Sequence, residues 1–273
     1  FNYLPIGGII LAFKRYSAGK GIWGSRWVGL RWVIQFFENP YAFRLISNTL
    51  ILGFESFLIT FPAPILLALL FNELKNERFK RIAQSVSYIP HFISTIVIVG
   101  MLKNFTAQTG WVNSLITALG GESIIFFTRS EWFRPLYITS GLWQGIGWGT
   151  IIYLAALSGI SPELYEAGEL DGASRFQKIR YITLPEIMPV IITLFILSIP
   201  SLINVDTEKI LLMYSPSTYS TADVIGTYTY REGIENANYS YSTAINLATS
   251  LVSFALLFVT NWTSKKLSDN SLW

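Results

Sequence analysis

The chain has 273 residues, 51% of them apolar and only 14% charged, with a mean hydropathy of +0.43 and a formal net charge of +3. Ordinary soluble domains carry about a quarter charged residues, so this composition argues against a water-soluble fold, and the small positive excess does not point to nucleic acid. The absence of cysteine excludes a disulfide framework, a thiolate nucleophile and a cysteine metal site, and the single histidine, His91, excludes paired-histidine zinc motifs.

A hydrocarbon core of about 30 Å needs roughly 20 apolar residues per helix. The opening run FNYLPIGGIILAF (1–13) is too short to span alone and lacks the basic start and small-residue cleavage site of a signal peptide. It reads as the second half of a first transmembrane helix that begins before this sequence. Next, GLRWVIQFFENP places Leu30, Val33, Ile34 and Phe37 at helical spacing before the Asn39-Pro40 break, with Trp27 and Trp32 nearby. That pattern predicts a short amphipathic helix at the membrane interface.

Five full-length spans follow, at 45–71, 86–102, 136–157, 187–205 and 244–262, giving six with the truncated first and an all-α polytopic membrane protein. The connection at 72–81 is short and basic, 103–135 is aromatic, and 203–243 is rich in Ser, Thr, Tyr and Asn. No tandem repeat is visible. The run SAGKGIWGS lacks the spacing of a nucleotide phosphate loop, so any ATP chemistry belongs to another chain.

Between the fourth and fifth spans lies ELYEAGELDGASRFQKIRYITLP, acidic at Glu163, Glu166, Glu169 and Asp171 and basic at Arg175, Lys178 and Arg180. Ser161-Pro162-Glu163 is a helix start: a capping hydroxyl, a proline at the first position and an acid at the positive helix end. Ala167 and Gly168 leave room for a neighbouring backbone, and Gly172 suits the left-handed residue that ends a helix. A second short helix from about Ser174 and a span starting at LPEIMP complete a helix–turn–helix along the membrane surface. The plainer alternative is a solvated charged loop.

Glu166-Ala167-Gly168, Gly172 and Ile182-x-Leu184-Pro185 stand at the spacing of the EAA signature, and the chain resembles the permeases of binding-protein-dependent ABC importers on that motif. Asp171-Gly172-Ala173, Phe176 and Pro189 match its form in sugar permeases, while Gly168 stands where the family usually has alanine. NTLILG, FPAPILLALLFNEL, SYIPHFIS, GIGWGTIIYLAALSGI and ADVIGTYTYREG resemble the LplB-type branch, so the likeness covers nearly the whole chain.

The resemblance implies a type I ABC importer fold in a prokaryotic cell membrane, with 161–185 as the coupling element seated on a cytoplasmic ATPase. Glu166, Ala167, Gly168, Asp171 and Gly172 would form that joint, Glu166 at its central ion pair, and Leu184 and Pro185 would link it to the fifth span. Two ATPase subunits would bind the ATP and magnesium. A second, different permease and an extracytoplasmic solute-binding protein would complete the importer. The cargo would be an oligosaccharide or polysaccharide fragment, and this chain would be no enzyme. With the coupling element inside, nine of the 20 lysines and arginines are cytoplasmic and 11 are not, so the positive-inside rule does not decide the orientation.

For the substrate path, Glu55 is the one acid inside a span, ten residues past Leu45 and therefore roughly 15 Å along the helix. An acid at such depth usually faces a cavity or partner. In GLWQGIGWG, Gly141, Gly145 and Gly149 form overlapping GxxxG steps for close packing. Gln144 and Trp148, four apart, offer an amide and an aromatic face suited to a sugar, with Trp143 adjacent; packing or interface anchoring is the alternative for both tryptophans. Asn204 ends the fifth span as a further path candidate, and His91 beside Pro90 reads as structural. The competing functions are an ABC permease for a non-sugar solute and an ion-coupled secondary transporter, the latter disfavoured by a single intramembrane acid and no repeat.

Overall fold

A computed structural model describes residues 4–268 of the chain. Leu4–Phe13 winds as a 3-10 helix, so the described part of the opening run is not a half α-helix; Phe1, Asn2 and Tyr3 lie outside the described residues. Lys14–Arg15 pairs antiparallel with Arg26–Trp27 around a one-turn helix α1 (Gly21–Gly24). Then come α2 (Arg31–Glu38), α3 (Ala42–Thr60), α4 (Pro62–Asn72), α5 (Glu77–Tyr88), α6 (Thr95–Phe105) and α7 (Trp111–Ala118). The second half carries α8 (Ser130–Ser158), α9 (Pro162–Leu170), α10 (Arg175–Lys178), α11 (Leu184–Ser198), α12 (Thr207–Met213), α13 (Tyr219–Ala222), α14 (Ile225–Tyr230) and α15 (Tyr239–Ser268).

Among the described residues, three stretches are long and apolar enough to cross a membrane: Ala42–Asn72, Arg175–Leu202 and Tyr239–Lys266. They contain most of the runs expected at 45–71, 187–205 and 244–262. The fifth expected span differs at both ends. The helix that carries it begins at Arg175 rather than at LPEIMP, because α10 continues into α11 through a π turn at Ile179–Thr183. The 29-residue α8 contains the run expected at 136–157, but its glycines, tryptophans and Gln144 leave it outside the set of strongly apolar spans.

The run at 86–102 is not one straight span. α5 ends in a 3-10 turn at Ile89–Phe92, Ile93 is extended, and α6 departs at 100°. Pro90 lacks the N–H that would continue the α-ladder, which gives the break a local cause.

By its internal contacts the chain divides into two compact units. The first comprises Phe1–Phe54, Val99–Tyr137 and Pro200–Leu256. Its core gathers Phe36, Ala42, Leu45, Tyr241 and Ile245. α2 buries Phe36 and leaves the face read from sequence as interfacial pointing outward, with Leu30, Ile34 and Phe37 61%, 56% and 66% exposed. An apolar face left outward on a short helix suits the membrane interface. Asn48 on α3 donates to the Ser220 and Asp223 carbonyls at 3.0 Å each, tying α3 to the α13–α14 segment.

The second unit comprises Glu55–Ile98, Ile138–Ile199 and Leu257–Trp273. Ala68, Tyr153, Leu157, Ile160 and Ile187 form its core, and Tyr165, Ile182 and Leu184 pack against them. Fully burying a Leu or Ile side chain is worth about 1.5–3 kcal/mol, so this cluster holds α9 and the start of α11 firmly to α4 and α8.

Candidate coupling element and translocation path

The segment 161–185 forms as a capped helix, a tight turn and a second capped helix. The Ser161 hydroxyl accepts from the Glu163 N–H at 3.3 Å with Pro162 at the first helical position. Gly172 has φ +73°, the left-handed conformation an L side chain rarely adopts. The Ala173 N–H then reaches the Gly168 carbonyl at 2.8 Å. Ser174 and Gln177 form a reciprocal capping box that starts α10.

Two side-chain pairs tie the element together. Lys178 donates to Glu169 at 2.6 Å, and this hydrogen bond and charge hold the Glu169 carboxyl below its ordinary range, with Lys75 adding to the effect. Since Lys75 lies in the connection at 72–81, that connection and α9 share one end of the unit. The Tyr165 hydroxyl meets the Thr183 hydroxyl at 3.0 Å. Glu166, Ala167 and Asp171 are exposed, and Leu170 is 91% exposed. Gly168 faces Ile182, whose Cδ1 would stand 3.0 Å from an added Cβ, so alanine fits only if Ile182 yields slightly. Leu184 is half-buried against the core, while Pro185 faces outward.

Two of the path candidates meet the same stretch of chain. Gln144 donates its amide to the Ile93 carbonyl at 3.1 Å, a group freed where the α5–α6 path breaks. Trp148 stacks on His91 at 4.4 Å between ring centroids with an interplanar angle of 3°, and Phe92 meets it edge-on at 5.6 Å. Both side chains therefore brace the break at 89–94 from α8, although Trp148 stays 44% and Trp143 45% exposed. The expected GxxxG face holds at Gly149 and not at Gly145. A Cβ at Gly145 would meet open space, whereas one at Gly147 would overlap the Ser87 backbone and one at Gly149 would come within 2.8 Å of Pro64. The close approach is to α5 and α4, through Gly147 and Gly149.

Glu55 is half-buried on α3. Asn204 belongs to the first unit, beyond the last turn of the fifth span, and donates to the Ser253 hydroxyl at 3.3 Å. Sequence reading missed the His91–Trp148 stack, for which Pro90 inside an apolar run was the available signal. It also missed a cluster of Arg44, Asp223 and Arg231, whose only trace was the mixture of tyrosines and charges in ADVIGTYTYREG.

A bent helix pair, long apolar spans and a surface helix–turn–helix packed on their core define a multi-pass membrane protein. The chain belongs to the family described as "Binding-protein-dependent transport system inner membrane component", which matches residues 60–269. It is 45% identical to Protein LplB of Bacillus subtilis, over 100% of this chain and 86% of that protein. It is 41% identical to the Polygalacturonan/rhamnogalacturonan transport system permease protein YteP of the same organism, over 100% of this chain and 85% of the relative. A crystal structure of a bacterial alginate ABC transporter, in complex with an alginate pentasaccharide-bound periplasmic protein, contains a chain of the same fold. The TM-score is 0.92 at 37% identity, over 100% of this chain and 91% of that one. The MetNI methionine ABC transporter shares the fold more distantly, with a TM-score of 0.55 at 17% identity.

Proposed function

We propose that this chain forms the membrane path of an ABC importer for an oligosaccharide or polysaccharide fragment. The observation that carries the reading is the full-length likeness to a chain of the alginate transporter. The transport systems named for its curated relatives point the same way. An extracytoplasmic solute-binding protein delivers the saccharide, and two cytoplasmic ATPase subunits supply the energy and hold the ATP and magnesium. A second permease of different sequence completes the path in the plasma membrane of a bacterium.

In this reading the chain contributes six spans. The opening run belongs to the first, the bent α5–α6 segment serves as the third, and α8 is the fourth. The α9–α10 element is the coupling joint. Its exposed Glu166, Ala167 and Asp171 face the ATPase, and Gly172 sets the turn. Glu55, Trp143, Gln144, Trp148 and Asn204 remain the candidates for contact with the path, with Gln144 and Trp148 acting through the helix break they brace.

Reconstitution in proteoliposomes with the second permease, the ATPases and the binding protein tests the proposal. Saccharide-loaded binding protein should stimulate ATP hydrolysis and saccharide uptake. Uptake driven by a sodium or proton gradient without ATP would overturn it, as would a non-sugar cargo.

A further inference from the structure

The first unit contains a cleft of about 580 Å³ that the coupling and packing arguments leave unused. Tyr41, Arg44, Tyr219, Asp223, Tyr228 and Arg231 form its working surface. Asp223 is nearly buried, its side chain 3% exposed, and its carboxylate is already engaged. One oxygen accepts from the Thr227 hydroxyl at 2.8 Å, and the other accepts from Arg231 at 2.8 Å. Arg44 approaches that second oxygen only to 3.8 Å, beyond hydrogen-bond range. Its Nε is buried with no acceptor among the described residues. Two guanidiniums thus share one carboxylate, and the cleft keeps one positive charge in excess.

The walls around that charge are tyrosines. Arg44 lies over the Tyr41 ring at 4.8 Å, and Arg231 lies over Tyr219 at 5.0 Å and Tyr228 at 6.0 Å. Such stacking fixes each guanidinium as a flat donor surface. Ser217 and Ser220 add hydroxyls to the lining. Tyr228 also borders a neighbouring cleft that carries Glu38 and Glu232.

We propose that the arginine cleft takes the carboxylate of an acid-bearing sugar unit, such as a uronate, within the transported saccharide. Arg44 supplies the donors that Asp223 leaves free, and the tyrosine faces and hydroxyls hold the sugar ring. A planar guanidinium fork is suited to a carboxylate, and aromatic faces with hydroxyls are suited to a sugar's C–H and O–H groups. The arginines are recessed, with side chains 39% and 21% exposed. A narrow sugar unit enters such a recess more readily than the flat acidic face of a protein partner. With the coupling element inside, the connection at 203–243 falls on the outer side, where cargo arrives. This inference rests on the saccharide-importer reading and narrows its substrate to an acidic class.

Hydrogen exchange on the complete permease–ATPase assembly tests it without relying on the binding protein's own selectivity. The probes are trigalacturonate, trimannuronate and their carboxyl-reduced neutral trisaccharides. At least one acidic probe should protect residues 214–231, and its neutral counterpart should not. Arg44→Gln should weaken that protection by about tenfold in probe concentration, the scale of one charged hydrogen bond. Equal protection by acidic and neutral probes, or none by either acid, overturns the proposal, and the wild-type comparison decides this even if the variant does not assemble. Protection produced by sugar-free binding protein instead would make the cleft a protein contact and also overturn it. The importer reading fails separately, if ATP-driven saccharide uptake is absent in proteoliposomes.

Discussion

Two glutamates three residues apart on α9 have different surroundings. Glu169 is held by Lys178 within the element, while Glu166 is exposed and forms no ion pair among the described residues. Glu166→Lys should therefore abolish uptake while leaving membrane abundance normal, whereas Glu169→Gln should leave most transport intact. Immunoblots and uptake assays on the same membranes check both, and normal transport by Glu166→Lys would remove it from the joint. The Glu169 carboxyl is depressed in the folded protein, so its contribution is complete above the ordinary carboxylate range. It is lost only as pH falls through the lowered value. Hydrogen-exchange protection across 165–178 should accordingly stay constant from pH 7 to about 5. At Glu55, the isosteric Glu55→Gln should be mild and Glu55→Leu should cut transport sharply, because only the first keeps hydrogen bonding at a half-buried site. A fully active Glu55→Leu importer would make that acid incidental.

Elements formed by local chemistry were legible in the sequence. The start of α9 followed from Ser161 and Pro162, its end from Gly172, and both form as expected. What distant residues decide was not. The run at 86–102 has the composition of a span, but its path turns at Pro90, and the carbonyl left at Ile93 is satisfied by Gln144, 51 positions away. Periodicity likewise locates small residues on α8 without telling which face meets a neighbour. A Gly145→Ala change should thus be neutral or gain up to about 1 kcal/mol, the usual glycine penalty in a helix. Gly147→Ala should cost about 1–3 kcal/mol by overpacking against Ser87. Thermal unfolding of the purified assembly separates them, and equal midpoints would contradict the α5–α8 contact. Gln144→Leu, which strips the amide from the Ile93 carbonyl, should cost a similar 1–3 kcal/mol.

For the molecule as a whole, charge kept out of water is concentrated in few places, and Lys209 on α12 is one of them. It is 3% exposed, donates to the Tyr137 carbonyl at 3.0 Å and lies over that ring at 4.9 Å. Burial pushes its ammonium down to about 8, against a partial rise from Asp206. Between that value and the ordinary lysine range near 10.5 the unfolded chain binds the extra proton, so this group makes stability rise with pH across the window and leaves a deficit below it. Lys209→Met should therefore raise the thermal midpoint at pH 7, with the advantage shrinking from pH 8 to about 10.5. A variant that unfolds earlier at pH 7 would show that the ammonium's contacts outweigh its burial.

The π turn between α10 and α11 sets a phase angle. Each residue added to a helix turns everything beyond it by about 100°, and the wider turn at Ile179–Thr183 takes up that extra rotation without a break in the rod. The direction in which Arg175 and Lys178 point is thereby fixed relative to Leu184 and Ile187, as the teeth of a key are fixed to its shaft. Excising one residue from the turn, Tyr181 for instance, would leave both helices whole and regularly bonded yet turn the joint about a quarter of a revolution away from the core it now meets.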